Sequence, residues 1–176
     1  VGLVGASAPL AEAIRRAQRV APKAFAVLIL GETGSGKERI SRILHGDRKG
    51  KFIDISAAAI DLGTAQSLLS GHKKGSFTDA ICDRVGKFEQ AKDGTFFIDE
   101  LDKMAMKIQE YLLRILQEME VDVVGGQKVS INCRFVAAAN PRLLQMVDEG
   151  EFLPDLFYRL TKCKIFVPPL AERPDD

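Results

Sequence analysis

Gly31-Glu32-Thr33-Gly34-Ser35-Gly36-Lys37-Glu38 follows a five-residue apolar run, Ala26 to Leu30, and opens onto a helix-compatible stretch, Arg39 to His45. A strand, a glycine-rich turn and a helix start are what phosphate binding requires. The glycines let the backbone curl until successive N–H groups point at one anion, and the helix N-terminus adds positive potential. Lys37 supplies a mobile charge for outer phosphates. The pattern G-x-x-x-x-G-K ordinarily ends in Ser or Thr, which ligates Mg²⁺; here Glu38 takes that position.

The 176 residues suffice for one domain with a sizeable core. With 25 Lys and Arg against 24 Asp and Glu, the balance argues against bulk nucleic-acid binding. Three dispersed cysteines, Cys82, Cys133 and Cys163, fit reduced thiols in a cytoplasmic protein better than a disulfide framework. His45 and His72 stand alone, without metal-ligand spacing. No apolar stretch approaches membrane-spanning length, and the N-terminus is not a signal peptide, so no membrane association is expected. The chain reads as a single unit, 1–176, excised from a longer protein.

Short apolar runs alternate with helical patterns. Strands are predicted at Ala26–Leu30, Phe52–Ile55, Thr95–Asp99, Arg134–Ala139 and Cys163–Val167, several of them apolar throughout, as parallel strands covered on both faces are. Helices are predicted at Pro9–Val20, Gly36–His45, Asp61–Leu69, Val85–Ala91, Lys107–Glu118, Pro141–Asp148 and Asp155–Leu160. Val121–Val124 and Lys128–Ile131, around Gly125-Gly126, read as a hairpin. Gly71 to Gly86 is the longest stretch without a clear pattern. The β/α alternation implies an α/β fold with a parallel sheet and a ligand at the carboxyl ends of its strands.

A second signature, Gly94-Thr95-Phe96-Phe97-Ile98-Asp99-Glu100, is a buried strand ending in two carboxylates. Asp99 suits a Mg²⁺ ion, directly or through water, and Glu100 can polarise a water for attack on a γ-phosphate. A third strand ends Ala137-Ala138-Ala139-Asn140, whose amide could sense that phosphate; Asn140 before Pro141 also suits a helix cap.

Taken together, the chain resembles the AAA+ ATPase domain of bacterial enhancer-binding activators, the NtrC-type regulators that open sigma-54 RNA polymerase promoters. The resemblance rests on Gly2-Leu3-Val4-Gly5, Gly31–Glu38, Gly71-His72-Lys73-Lys74-Gly75-Ser76-Phe77-Thr78, Gly86–Ala91 and Gly94–Glu100. It continues through Leu112–Glu118, Val124-Gly125-Gly126, Asp155–Leu160 and Pro168–Pro174. It implies a three-layer P-loop core with sheet order 5-1-4-3-2, ATP and Mg²⁺ bound between subunits of a homo-oligomeric ring, and a helical lid beyond Asp176. Leu3 and Val4 would pack near adenine, and Gly31, Glu32, Thr33, Gly34, Ser35, Gly36, Lys37 and Glu38 would hold the phosphates. Asp99 and Glu100 match the metal and hydrolysis carboxylates, and Asn140 matches the sensor. Arg159 matches an arginine inserted into a neighbour's site; its structural alternative is an ion pair with Asp155.

The family's effector loop reads G-A-F-T-G-A; here it is Gly75-Ser76-Phe77-Thr78-Asp79-Ala80, which keeps Phe77 and Thr78 as contacts to sigma-54 but puts Asp79 in place of a glycine. An exposed Phe is available to grip a partner, unless it folds back onto its own domain. Leu153 occupies the place of a second arginine, Ser56 that of an Asn contacting the catalytic Glu, Ala139 that of a Thr and Asp102 that of a glycine. Loss of an active-site arginine commonly costs roughly 10³-fold in phosphoryl transfer. Two readings therefore stand: an ATPase that remodels sigma-54 polymerase, and a nucleotide-gated assembly module with weak hydrolysis. DNA would be contacted only through a region outside this chain.

Overall fold

Val27–Leu30, four consecutive apolar residues, are all fully buried, which demands cover on both faces of the strand they form. The computed structural model describes residues 7–172 and supplies that cover. In chain order the elements are α1 (Ala8–Val20), β1 (Val27–Leu30), α2 (Lys37–His45), β2 (Phe52–Ser56), α3 (Ala65–Ser70), β3 (Gly71–His72), β4 (Arg84–Val85) and α4 (Lys87–Gln90). They continue with β5 (Thr95–Asp99), α5 (Met106–Glu118), β6 (Glu120–Asp122), β7 (Lys128–Ser130), β8 (Arg134–Ala139), α6 (Leu143–Asp148), α7 (Pro154–Leu160) and β9 (Cys163–Phe166).

Five strands form one parallel sheet in the order β2-β5-β8-β1-β9. Counting only those five, this is the expected 5-1-4-3-2 order. Alternation along each strand divides two cores. Leu28, Leu30, Phe96, Ile98, Phe135 and Ala137 face α3, α4, α5 and α7. Val27, Ile29, Phe97, Val136, Ala138 and Ile165 face α1 and α2.

Departures from the predicted elements have local causes. The Asp61 carboxylate accepts the Gly63 N–H at 2.7 Å, a turn that delays α3 to Ala65. Asn140 Oδ1 accepts the Arg142 N–H at 3.0 Å, so α6 starts at Leu143 rather than Pro141. The unpatterned stretch from Gly71 to Gly86 closes on itself, β3 pairing antiparallel with β4, and this consumes the first residue of the helix predicted at Val85–Ala91. The predicted hairpin is present as β6 and β7. It stops short of Val124, whose N–H donates to Gly71 O at 3.1 Å, while the Lys73 N–H donates to Val124 O at 2.9 Å.

Arg134, at the start of β8, is buried yet charged. Its guanidinium donates to Val20 O and Ala21 O at the end of α1 and to Leu44 O near the end of α2, at 3.1, 2.6 and 3.0 Å. Burial, then the neighbouring Arg48, pulls its pKa down to about 10, which leaves it protonated at neutral pH. Helix C-termini carry the negative end of the macrodipole, so carbonyls serve here in place of a carboxylate. Among the described residues no helix is long and apolar enough to cross a membrane. Arg134→Ala strands these carbonyls and opens a cavity, and should cost about 3 kcal/mol of unfolding free energy by urea denaturation; a loss below about 1 kcal/mol would show that water satisfies them equally well.

Candidate functional site

Because the strands are parallel, their carboxyl ends lie along one edge. Leu30 pairs in register with Ala139, Ile98 with Ala137, and Ser56 with Asp99. Gly31, Glu100, Asn140 and Ser56 therefore emerge side by side.

The loop after β1 is anchored where it leaves the sheet, the Gly31 N–H donating to Ala139 O at 3.2 Å. A Cβ on Gly31 would lie 2.6 Å from Ser35 Oγ and 3.0 Å from Val167 O, so space excludes a side chain. Gly34 and Gly36 have φ of 79° and 96°, the left-handed geometry that curls the loop. Lys37, the first residue of α2, reaches back across the loop, its Nζ donating to Gly31 O and Glu32 O, both at 2.9 Å. Glu32, Thr33 and Gly34 are exposed, and Ser35 is buried. The Glu38 carboxylate is taken up by Arg42, one turn along the helix surface, at 3.0 Å.

Asp99 closes β5 and accepts the Glu100 N–H at 2.8 Å. Glu100 has φ 54° and ψ 40°, an uncommon backbone for a residue with a side chain. Ser56 Oγ donates to its Oε2 at 2.8 Å, and Lys103 pairs with its Oε1. The Lys103 hydrogen bond, then the Ser56 hydrogen bond, holds the Glu100 carboxyl below the usual carboxylate range, and the Lys37 charge acts in the same direction. The strand register places the loop lysine and this carboxylate at one edge of the sheet. Asp102 Oδ1 accepts the Asn140 N–H at 2.9 Å, fastening the turn after β5 to the tip of β8. The roles of Asp102 and Lys103 were not read from the sequence; the signal available was a cation three residues after Glu100.

Beside the loop, Pro9, Leu30, Gly31, Phe166, Val167 and Pro168 line a largely apolar cavity of about 450 Å³. A larger one of about 650 Å³, against Ala21, His45, Arg48 and Asp93, lies at the opposite end of the sheet and includes neither the loop nor Asp99 and Glu100. Leu3 and Val4, expected near a nucleobase, lie outside the described residues.

Arg159 is not brought to this edge. It is exposed near the end of α7, and its Nη1 donates to Leu116 O at 3.0 Å, at the end of α5, rather than pairing with Asp155. Leu153 caps α7, packs against the larger core, and donates its N–H to the buried Gln109 side chain at 2.8 Å.

The segment around Phe77, expected to be an effector loop, is compact. The Gly75 N–H donates to Ala80 O at 2.8 Å and the Ala80 N–H to Phe77 O at 3.0 Å, leaving Thr78 and Asp79 exposed at the tip. Phe77 is 43% exposed, with its ring edge-on to His72 at 4.9 Å between centroids. It is thus available on one side and leans on its own stalk with the other.

The Sigma-54 interaction domain family matches residues 3–166. The chain belongs to that family. It is 46% identical over 169 residues to the transcriptional regulatory protein FlbD of Caulobacter vibrioides, covering 94% of this chain and 37% of FlbD. It is 42% identical over 178 residues to the nitrogen fixation protein VnfA of Azotobacter vinelandii, covering 99% of this chain and 34% of VnfA. The chain thus spans about a third of the length of these relatives. Among solved structures it is similar to NtrX from Brucella abortus in complex with ATP, with a TM-score of 0.88 and 32% identity over 100% of this chain and 40% of that one. The architecture is accordingly the three-layer AAA+ P-loop NTPase core.

Within this sigma-54 interaction domain, Ser56→Ala removes one donor to Glu100. The Glu100 carboxyl, followed by ¹³C NMR titration, should move up toward the ordinary range; an unmoved titration would mean that the contact is not made in solution.

Proposed function

We propose that this domain binds ATP with Mg²⁺ and, within a longer cytoplasmic sigma-54-dependent regulator, couples nucleotide turnover to ring assembly and remodelling of RNA polymerase. The observation that carries this reading is the meeting of the curled loop under Lys37 with Asp99 and Glu100 at one sheet edge. The donor set fits such a ligand. Left-handed Gly34 and Gly36 and the α2 N-terminus suit phosphate oxygens, and a Cβ at Gly34 would meet nothing within 4 Å, so the mouth of the loop is open. Asp99 offers a hard oxygen ligand of the kind Mg²⁺ takes, directly or through water. Mg²⁺ bound there would neutralise charge developing on phosphate oxygens.

In this scheme Gly31 to Glu38 hold the phosphates, Lys37 leaving its two carbonyl partners for the outer oxygens. Glu100 accepts the proton of the attacking water. Asn140 lies one strand over as sensor. Arg159 acts on a neighbouring copy, where its guanidinium meets transition-state charge. The apolar cavity beside the loop suits a nucleobase. Phe77 and Thr78 are the contacts to sigma-54, and DNA is reached through another part of the longer protein.

The second reading, a nucleotide-gated assembly module with slow hydrolysis, draws on Leu153, a core-packed hydrophobe that offers no charge to a neighbour's site, and on exposed Asp79 near Phe77.

Lys37→Ala should weaken ATP binding by about 100-fold, roughly 3 kcal/mol, in calorimetry, with the circular dichroism of the fold retained; unchanged affinity refutes the role given to Lys37. In the full-length protein held with ADP and a metal fluoride, sigma-54 should co-purify with the wild type and be lost with Phe77→Ala. No capture by the wild type would favour the assembly module.

A further inference from the structure

Both carboxylate oxygens of Glu100 are already engaged, Oε2 by the Ser56 hydroxyl and Oε1 by the Lys103 ammonium. The lysine arrives there for structural reasons. Glu100 enters the Leu101–Lys103 turn with left-handed backbone, and Asp102 fastens that turn to the Asn140 N–H. The backbone of the turn thereby brings Lys103 within reach of Oε1. An ammonium carries three donors and a full charge, so it holds a carboxylate oxygen more firmly than a water does. Oε1 keeps a second lone pair, so a water can still reach it, but it competes with the ammonium for the electron density that must take its proton.

We infer that Lys103 is a positioning residue that clamps Glu100 at rest, so that turnover is faster when the Glu100–Lys103 ion pair opens. This deepens the reading of Glu100 as proton acceptor and rests on it. The clamp is adjustable rather than absolute: the two side chains are 38% and 57% exposed, and pairs this accessible limit the effect to about fivefold in rate. The Lys37 contacts to Gly31 and Glu32 do not involve Lys103. Opening the pair therefore acts on the proton-transfer step rather than on the loop lysine.

Steady-state ATP turnover of the full-length protein tests this directly. Lys103→Met should raise kcat about two- to fivefold with KM for ATP unchanged, and Lys103→Arg, which keeps the charge, should restore the low rate. A kcat for Lys103→Met at or below the wild-type value, or a rise matched by KM, overturns the clamp. If steady-state turnover of the wild type is below detection, single-turnover ATP cleavage followed at high enzyme concentration replaces it, and a Lys103→Met rate no higher than the wild-type rate overturns the clamp. Glu100→Gln in the Lys103→Met background separates the two ideas: persisting hydrolysis would refute the role of Glu100 itself, whereas its loss beside an unaltered Lys103→Met rate would refute only the clamp.

Discussion

Strand β1 has a hydrogen-bonded neighbour on each edge and a packed helical layer on each face, and the rest of the molecule is arranged around that enclosure. A strand so placed meets solvent only at its ends. Parallel pairing then fixes which end carries chemistry, because the carboxyl termini of β2, β5, β8 and β1 fall on one line. The loop at Gly31, the carboxylates after β5, the amide after β8 and the hydroxyl at the end of β2 come from segments as much as a hundred residues apart. None needs a long excursion to reach the others.

At that edge the charges are held by specific partners. Lys37 is parked on two loop carbonyls, which are weaker partners for an ammonium than phosphate oxygens, so the lysine is held in place without being spent. Glu100 is held between a hydroxyl and a second ammonium, on a backbone that few side-chain-bearing residues adopt. Ser56, shorter than the Asn its position would hold by resemblance, still meets the carboxylate at 2.8 Å. Departure from the family's usual residue has thus not removed this particular contact. At Leu153 the change goes further, since the side chain has joined the core and its backbone is tied to Gln109.

The sheet was legible because its evidence is redundant: apolar runs of strand length, separated by amphipathic helices, admit few arrangements. The glycine loop and Asp99-Glu100 were legible because phosphate chemistry needs particular residue types at fixed spacing. What escaped was set by single hydrogen bonds. Asp61 and Asn140 each turn a side chain onto the backbone two residues on, which shortens a helix that periodicity alone would extend. The β3–β4 ribbon has two residues per strand, too few to leave a period. Arg159 was read as a choice between a neighbour's site and Asp155, and its resting partner is a main-chain carbonyl at Leu116, which no sequence pattern announces.

Arg134 ties one of the two helical layers in a way the other, among the described residues, lacks. By joining the ends of α1 and α2 through one guanidinium, it ties that layer together at the end of the sheet opposite the glycine loop. The opposite layer carries the Phe77 segment, moored through a two-residue ribbon and the Val124 carbonyl and amide. The two layers are therefore tied unequally: one is bridged between helix ends by a buried charge, and the other holds its outermost segment by a few main-chain hydrogen bonds.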